Sequence, residues 1–515
     1  MELYYSYCTF FASAIFLFFL SLFLLKPNRQ RLPPGPIGFP ILGSIPQLGS
    51  KVHQSLAQMA KRHGPLMSLR LGSKIAVLVT SVEVAREMLG THEKAFSDRP
   101  VADAIAAQPN PELTLAWITS DQLWRSRRRT CTIHLFSPIS LDAHQKIRHE
   151  KVRQLVRYIE MKHAAAEEPV DIGKVAFATI LNLISSTVLS VDVVDPEFES
   201  AQEFKDLVWR IMEDFARPNL SDFFRLLRPF DLQGLRRNVT GCFERLYEIL
   251  EEIIEKRVKE RAAAAAEGVA TGRNCDFLDV LLDQCQEEGS GVDRPHVKAL
   301  VSELFIAGSD TTSTTIEWAM AELLRNPKVL EKARQEILTV VGLQRPIQES
   351  DINNLPYLQA IVKETLRLHP ATPLLIPHKA KHDVEVLGYV VPKDAMVMVN
   401  VWAIARDPSN WTDPLEFRPE RFAVEPGRKD GGFDYNGTNF EYIPFGSGRR
   451  ICPGMPLARR MLPLVVGALV QAFNWRLPAG VSPEDMDMEE MFGASLRKAG
   501  PLCAIPSLIE CVPSP

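Results

Sequence analysis

The chain lacks the devices that hold small secreted folds together. Its eight cysteines (Cys8, Cys131, Cys242, Cys275, Cys285, Cys452, Cys503 and Cys511) form no C-x-x-C pair and no short-range framework. That weighs against a disulfide scaffold and a structural zinc site, and fits a chain whose bulk sits in reducing cytosol. The sequons at Asn219, Asn238, Asn410 and Asn436 are therefore expected to stay bare. No long basic run follows the N-terminus and the formal net charge is −4, so nucleic acid is not an expected partner. A flavin or nicotinamide fingerprint is also missing, so reducing electrons would have to come from another protein. Internal repeats are absent, and no linker divides the 515 residues into the several domains their number would allow.

Charge is missing altogether from Leu3 to Leu25, and Phe10 to Leu25 is almost wholly apolar. A helix of that length spans a hydrocarbon core of ~30 Å. Lys26, Arg29 and Arg31 follow directly, and the positive-inside rule then leaves the rest of the chain in the cytosol. A cleaved signal peptide is the rival reading, but the basic flank is on its wrong side and no small-residue cleavage site follows. Residues 1–25 read as a membrane anchor, 26–40 as a basic and proline-rich hinge, and 41–515 as one domain. In the hinge, Leu32-Pro33-Pro34-Gly35-Pro36, then Gly38 and Pro40, make a stiff non-helical segment.

The body reads as mainly α with a small β region. Pro65–Leu71 and Lys74–Thr80 alternate as strands. From about 140 to 345 the spacing is helical, as in Phe243–Arg261. Ala262–Glu267, with Gly268 and Gly272, reads as a low-complexity surface loop. Beyond 375 short strands and loops return, and a last helix near Pro456–Phe473 precedes a strand-like tail.

The strongest motif is Phe445-Gly446-Ser447-Gly448-Arg449-Arg450-Ile451-Cys452-Pro453-Gly454, a lone cysteine in a glycine-rich loop just before that helix. Glycines let backbone amides approach the sulfur. Those amides and the helix N-terminus favour a thiolate over a thiol. A thiolate on haem iron pushes electron density onto the metal and favours O–O cleavage. Arg450 is then a candidate partner for a haem propionate. Two plainer readings compete. A dinucleotide loop fails, because the third glycine and the strand–turn–helix unit are missing. An inert buried thiol is the usual fate of a lone cysteine, and the loop alone does not exclude it.

A second segment, Phe305-Ile306-Ala307-Gly308-Ser309-Asp310-Thr311-Thr312, lies inside a helical pattern that Ile316 to Leu324 continues. Gly, Ser, Asp and repeated Thr are poor helix-interior residues. Thr311 can bond back to the Ala307 carbonyl and Gly308 weakens the same turn, which would open the ladder beside a ligand. Asp310 and Thr311 then form an acid–alcohol pair able to relay protons to bound dioxygen. A helix end with N-cap residues is the alternative, and the continuing helix weighs against it. Third, Glu364 and Arg367 stand one helical turn apart, and Arg421 follows in the loop Phe417–Phe422. Either these are solvated surface charges, or they form a buried network bracing the loop that leads to Cys452.

These segments, in this order, resemble the cytochromes P-450, and the resemblance runs from the proline hinge to the tail. It rests on Phe445, Gly448, Arg450, Cys452 and Gly454, on Ala307-Gly308-x-Asp310-Thr311, and on Glu364-x-x-Arg367. It implies the cytochrome P-450 fold behind a single N-terminal transmembrane helix, with haem b on Cys452. It also implies that Trp124 and Arg128 hold one propionate. His378 stands where the family often has an arginine for a propionate; here it is either that partner or a strand residue with a satisfied ring. Substrate-contacting regions map onto Ile105, Leu113, Phe305, Ala307, Leu374, Leu375, Ile376 and Phe492, which are apolar. The hinge, Ala307–Trp318 and Phe422–Phe445 resemble plant microsomal enzymes, most of all the family of geraniol 8-hydroxylase and other terpenoid oxidases.

The activity so implied is NADPH- and O2-dependent hydroxylation of a small hydrophobic plant metabolite, a terpenoid first and a flavonoid or alkaloid second. Electrons would come from a membrane-bound NADPH-dependent haemoprotein reductase, steered by Arg125, Arg127, Arg129, Arg449, Arg459 and Arg460. The implied location is the endoplasmic reticulum membrane, with the catalytic domain facing the cytosol. Competing functions are a haem-thiolate hydroperoxide isomerase or dehydratase, and a membrane-attached haem or sterol binder without turnover. An acid–alcohol pair in the groove would be idle in either.

Overall fold

The computed structural model describes residues 31–194, 201–266, 276–422 and 433–509, together with Ser13. The expected anchor and the Gly268–Gly272 stretch lie outside these residues. Among the described residues, one helix, Ile172–Leu189, is long and apolar enough to cross a membrane, and 83% of it is buried inside the protein. Its burial makes it a core helix.

The helices that position the site are α1 (Val52–His63), α2 (Gln122–Cys131), α3 (Gln145–Ile159), α4 (Ile172–Leu189), α5 (Ala201–Ala216), α6 (Leu235–Ala266), α7 (Arg294–Arg325), α8 (Pro356–Leu368) and α9 (Met455–Ala472). Several start at an aspartate whose side chain accepts a backbone N–H of the first turn: Asp121 from Trp124, Asp171 from Lys174, Asp293 from His296. α4 is apolar almost all round and α7 is buried over most of its length, and the two form the centre of the helical core. Their close approach depends on Gly308, where a Cβ would meet Ile184 Cδ1 at 2.6 Å. Ala262–Ala266, expected as loop, is the last turn of α6; alanine is the best helix former, and low complexity is no bar to helix.

The strands that matter are β1 (Leu66–Leu71), β2 (Lys74–Val79), β3 (His378–Lys379), β4 (Met396–Val399), β5 (Glu490–Met491) and β6 (Arg497–Lys498). The first four form one sheet in the order β1-β2-β4-β3, with β2 and β4 parallel and the other pairs antiparallel. A smaller apolar cluster fills the space behind this sheet. The proline segment is non-helical and docked. Ser68 donates from Oγ to the Pro33 carbonyl (2.6 Å) and from its amide to Pro34 (2.8 Å), and Val390 N–H reaches the Arg31 carbonyl at 2.8 Å.

Candidate functional site

The helical core and the sheet enclose a cavity of about 970 Å³, walled by α2, α4, α7, α9 and the loops before α2 and after α8. Cys452 lines it, held by its own N–H on the Phe445 carbonyl at 3.0 Å. The turn before it needs glycine: Gly448 has φ +62°, and a Cβ there would meet the Leu89 carbonyl oxygen at 2.6 Å. Enclosure by protein pushes the Cys452 thiol up, while the amides of Gly454 and Met455 at the start of α9, together with Arg128, pull it down. Desolvation is the largest of these effects, and the amides and Arg128 work against it, as a cation bound to the sulfur also would.

Beside the sulfur lies a concentration of buried and half-buried positive charge. Trp124 and Arg128 of α2 both line the cavity. The Trp124 ring sits between Arg128 and Arg450, 5.4 and 4.7 Å from its centroid, and its indole donates to the Leu115 carbonyl at 3.2 Å. Arg450 donates to the carbonyls of Ser97 (2.7 Å), Leu115 (2.9 Å) and Ile118. Arg99, which the sequence patterns did not single out, donates to the carbonyls of Ile376 and Pro377, yet its Nε has no partner among the described residues. Burial and the neighbouring Arg450 bring Arg99 down to about 9; burial brings Arg450 down to about 10. His378 pairs through Nδ1 with the Phe96 carbonyl at 2.7 Å, and burial with Arg99 beside it holds the ring well below the ordinary histidine range. With Nδ1 on the Phe96 carbonyl, an anion at the other ring nitrogen would be met by a donor only if its charge raised the ring's proton affinity.

This donor set fits an iron porphyrin: a sulfur ligand with amides aimed at it, and mutually repelling arginines with an unmet buried N–H that carboxylates would satisfy. Across the cavity, α7 presents Ala307, Gly308, Thr311 and Thr312. α7 runs unbroken through this segment, and Thr311 Oγ1 donates to the Ala307 carbonyl at 2.7 Å. A profile of the Cytochrome P-450 family matches residues 33–502. The chain belongs to the cytochrome P-450 family. It is 44% identical over 485 residues to geraniol 8-hydroxylase of Catharanthus roseus, covering 94% of this chain and 96% of that one. It is 40% identical over 484 residues to geranylhydroquinone 3''-hydroxylase of Arnebia euchroma, covering 94% and 95%. A zebra fish cytochrome P-450 solved with progesterone superposes with a TM-score of 0.73 at 27% identity, over 89% of this chain and 99% of that one. As a cytochrome P-450, the protein is a haem-thiolate monooxygenase acting on small hydrophobic molecules.

Within this cytochrome P-450, Ile105, Ala307, Leu374, Leu375, Ile376 and Phe492 line the cavity, as do Phe445 and Gly454. Leu113 and Phe305 do not. Phe305 is fully buried in the helical core, because it stands two residues, and hence about 200°, round the helix from Ala307. Leu113 is half-buried, and its successors Thr114 and Leu115 take the cavity side. Asp310 is fully buried and its carboxylate is turned out of the cavity, onto the Ser495 hydroxyl. The sequence motifs did not single out Glu303. Its two oxygens accept the amides of Leu115 and Ala116, both at 2.7 Å, tying the loop before α2 to α7. Burial raises its carboxyl to about 7.

The charge pair on α8 is no surface feature. Glu364 and Arg367 are both buried, and Glu364 accepts from Arg367 Nε (2.6 Å), Arg367 Nη2 (2.8 Å), Arg421 Nε (3.1 Å) and the Arg418 amide (2.8 Å). Arg367 also donates to the carbonyls of Ala405, Pro414 and Glu416. Tyr442, three residues before Phe445, donates to the Lys363 carbonyl at 3.1 Å. The expected basic face is thinner than its sequence: Arg125 and Arg129 are exposed, Arg127 is buried, and Arg449, Arg459 and Arg460 face Glu93, Asp434 and Asp142. Arg127 turns to the interior because it follows Trp124 by three residues on the same helix face.

Proposed function

We propose that this monooxygenase hydroxylates a small terpenoid, using O2 and electrons passed from NADPH by a membrane-bound reductase. The observation that carries the reading is the cavity between Cys452 and Thr311. Its walls are apolar at Ile105, Ala307, Leu374, Leu375, Ile376 and Phe492, and one hydroxyl-bearing helix stripe lines the same cavity as the sulfur. Two relatives named for geraniol and geranylhydroquinone oxidation support the substrate class.

Haem b, when bound, supplies the activation of dioxygen and the insertion of one oxygen atom into a C–H bond. Cys452 is its sulfur ligand. Arg450, Arg128, Trp124 and Arg99 would hold the propionates, with His378 joining them as an imidazolium. Phe445 and Gly454 shape the sulfur's loop. Thr311 holds a hydroxyl at the cavity wall, where it can pass a proton to a bound acceptor, and Asp310 is the buried acid that refills it. Glu364, Arg367 and Arg421 keep the loop before Cys452 in register.

The enzyme is placed on the endoplasmic reticulum membrane, residues 1–25 spanning it, 26–40 as hinge and the catalytic domain in the cytosol. Exposed apolar side chains support this. Ile37, Phe39, Ile41 and Leu42 lie next to the start of the body; Leu226, Phe230 and Leu232 are exposed nearby. Gly72 and Ser73 bond to Leu42 and Phe223 and so join the two groups into one face. The test is to supply the chain in microsomes with reductase and NADPH, and to present monoterpene alcohols, sesquiterpenes, diterpenes and flavonoids. Hydroxylated terpenoids that need NADPH are the expected product; products from flavonoids alone would overturn the substrate class.

A further inference from the structure

Asp310 and Thr311 are neighbours in sequence, but about 100° apart round α7. Thr311 is on the cavity wall, whereas Asp310 is fully buried behind it. The Asp310 carboxylate is held there from two sides: Ser495 Oγ donates to its Oδ2, and the Trp209 indole faces the same group. The charged groups facing it are Arg497 of β6 and Lys205 of α5, and they lie 4.4 and 4.2 Å from the ring centroid of Trp209. Lys205 in turn faces Asp171 and Glu317. Burial raises the Asp310 carboxyl despite these cations.

Ser495 stands in the bend between β5 and β6. Its three predecessors Phe492, Gly493 and Ala494 line the cavity. The bend is tied down on both sides of the serine: Ala494 N–H donates to the Met212 carbonyl at 2.9 Å, and Leu496 N–H to the Ala371 carbonyl at 2.8 Å. A molecule lodged against Phe492 and Ala494 therefore bears on a bend whose next residue grips the acid.

We propose that Ser495 is a positioning residue that holds Asp310 out of the cavity while the cavity is empty, and yields it when a substrate displaces the bend. The proposal rests on the reading of Asp310 and Thr311 as the proton-delivering pair. Ser495 is off the cavity wall but adjoins Phe492, Gly493 and Ala494, which line it, so the bend is a route by which occupancy reaches the acid.

The experiment uses the full-length holoenzyme with reductase and geraniol as the probe, comparing Ser495→Ala, Ser495→Thr, Asp310→Asn and the Ser495→Ala/Asp310→Asn double variant. NADPH oxidation and peroxide are measured with and without geraniol. Loss of the grip is expected to raise the probe-free fraction of NADPH oxidation at least threefold in Ser495→Ala, to leave it near wild type in Ser495→Thr, and to have no further effect in the Asp310→Asn background. A second readout needs no turnover. The thermal midpoint of Ser495→Ala should fall more steeply than wild type as pH rises from 5 to 8, since an acid with one donor fewer is harder to ionise when folded; the double variant should lose that slope. An unchanged probe-free fraction with an unchanged slope overturns the proposal, as does an equal effect of Ser495→Ala in the Asp310→Asn background. If Asp310→Asn itself oxidises NADPH and makes peroxide as wild type does, the role of the acid falls, and the proposal with it.

Discussion

Replacing Glu364 by glutamine tests whether the α8 network holds the cysteine loop. The carboxylate accepts four hydrogen bonds, three from two guanidinium groups and one from the Arg418 amide, and it is fully buried. An amide of the same shape keeps one acceptor, turns an NH2 toward the arginines and removes the only negative charge on the pair. Breaking a buried ion pair from one side is destabilising by about 3–5 kcal/mol, because the partner charge stays buried. At about 1.4 kcal/mol per tenfold, that is roughly two to three and a half powers of ten in the folded population. The freed segment, Thr412 to Arg421, leads into the stretch ending at Cys452, so the thiolate spectrum should be lost at lower denaturant than in wild type. Urea titration of the holoenzyme, followed by tryptophan fluorescence and by the reduced carbon monoxide difference spectrum, measures both. A loss below about 1 kcal/mol, with the spectrum surviving to the wild-type midpoint, would show that the pair behaves as surface charge and refute the reasoning.

Cys452→Ser should abolish the thiolate-type carbon monoxide spectrum; a variant retaining it would remove the sulfur from the metal. Thr311→Ala should raise peroxide per NADPH several-fold at little cost in fold stability, read by a peroxide assay alongside product formation. Glu303 is raised to about 7 in the folded chain, so its share of stability is intact below the unfolded value and is lost as pH rises towards 7 and beyond. Glu303→Gln should accordingly flatten the fall of the thermal midpoint between about pH 5 and 8, and speed azole binding by loosening the Leu115–Ala116 loop. A midpoint profile parallel to wild type would argue against it.

Much of the fold was legible because its signals are local. The strands at 66–71 and 74–79 and the last helix at 455–472 fall within a residue or so of the alternation and periodicity that announce them. The Cys452 loop was legible for a similar reason: glycine at a positive φ leaves a mark on the sequence. The remainder depended on distance. Arg99 lies in a non-helical Ser97-Asp98-Arg99-Pro100 stretch, and nothing there says that Ile376 and Pro377, far along the chain, offer it carbonyls. Glu364 and Arg367 carried their spacing in the sequence, but burial came from Arg418 and Arg421 folding over them.

The groove on α7 marks the boundary between the two kinds of evidence. As a string, Ala307 to Thr312 reads as one device. On a helix, successive side chains diverge by about 100°, so the string must serve two faces. Ala307, Gly308, Thr311 and Thr312 fall on the face lining the cavity, and Asp310 falls on the face packed against β6 and α5. An acid on the second face acts on the first only if some element touches both. The β5–β6 bend does, with Phe492 and Ala494 on one side and Ser495 on the other. On the proposed reading of Asp310 and Thr311, the string is therefore incomplete without a residue 185 positions away. What joins the two faces is the fold of the tail, which is why neither the acid's orientation nor its partner could be read from the motif that contains it.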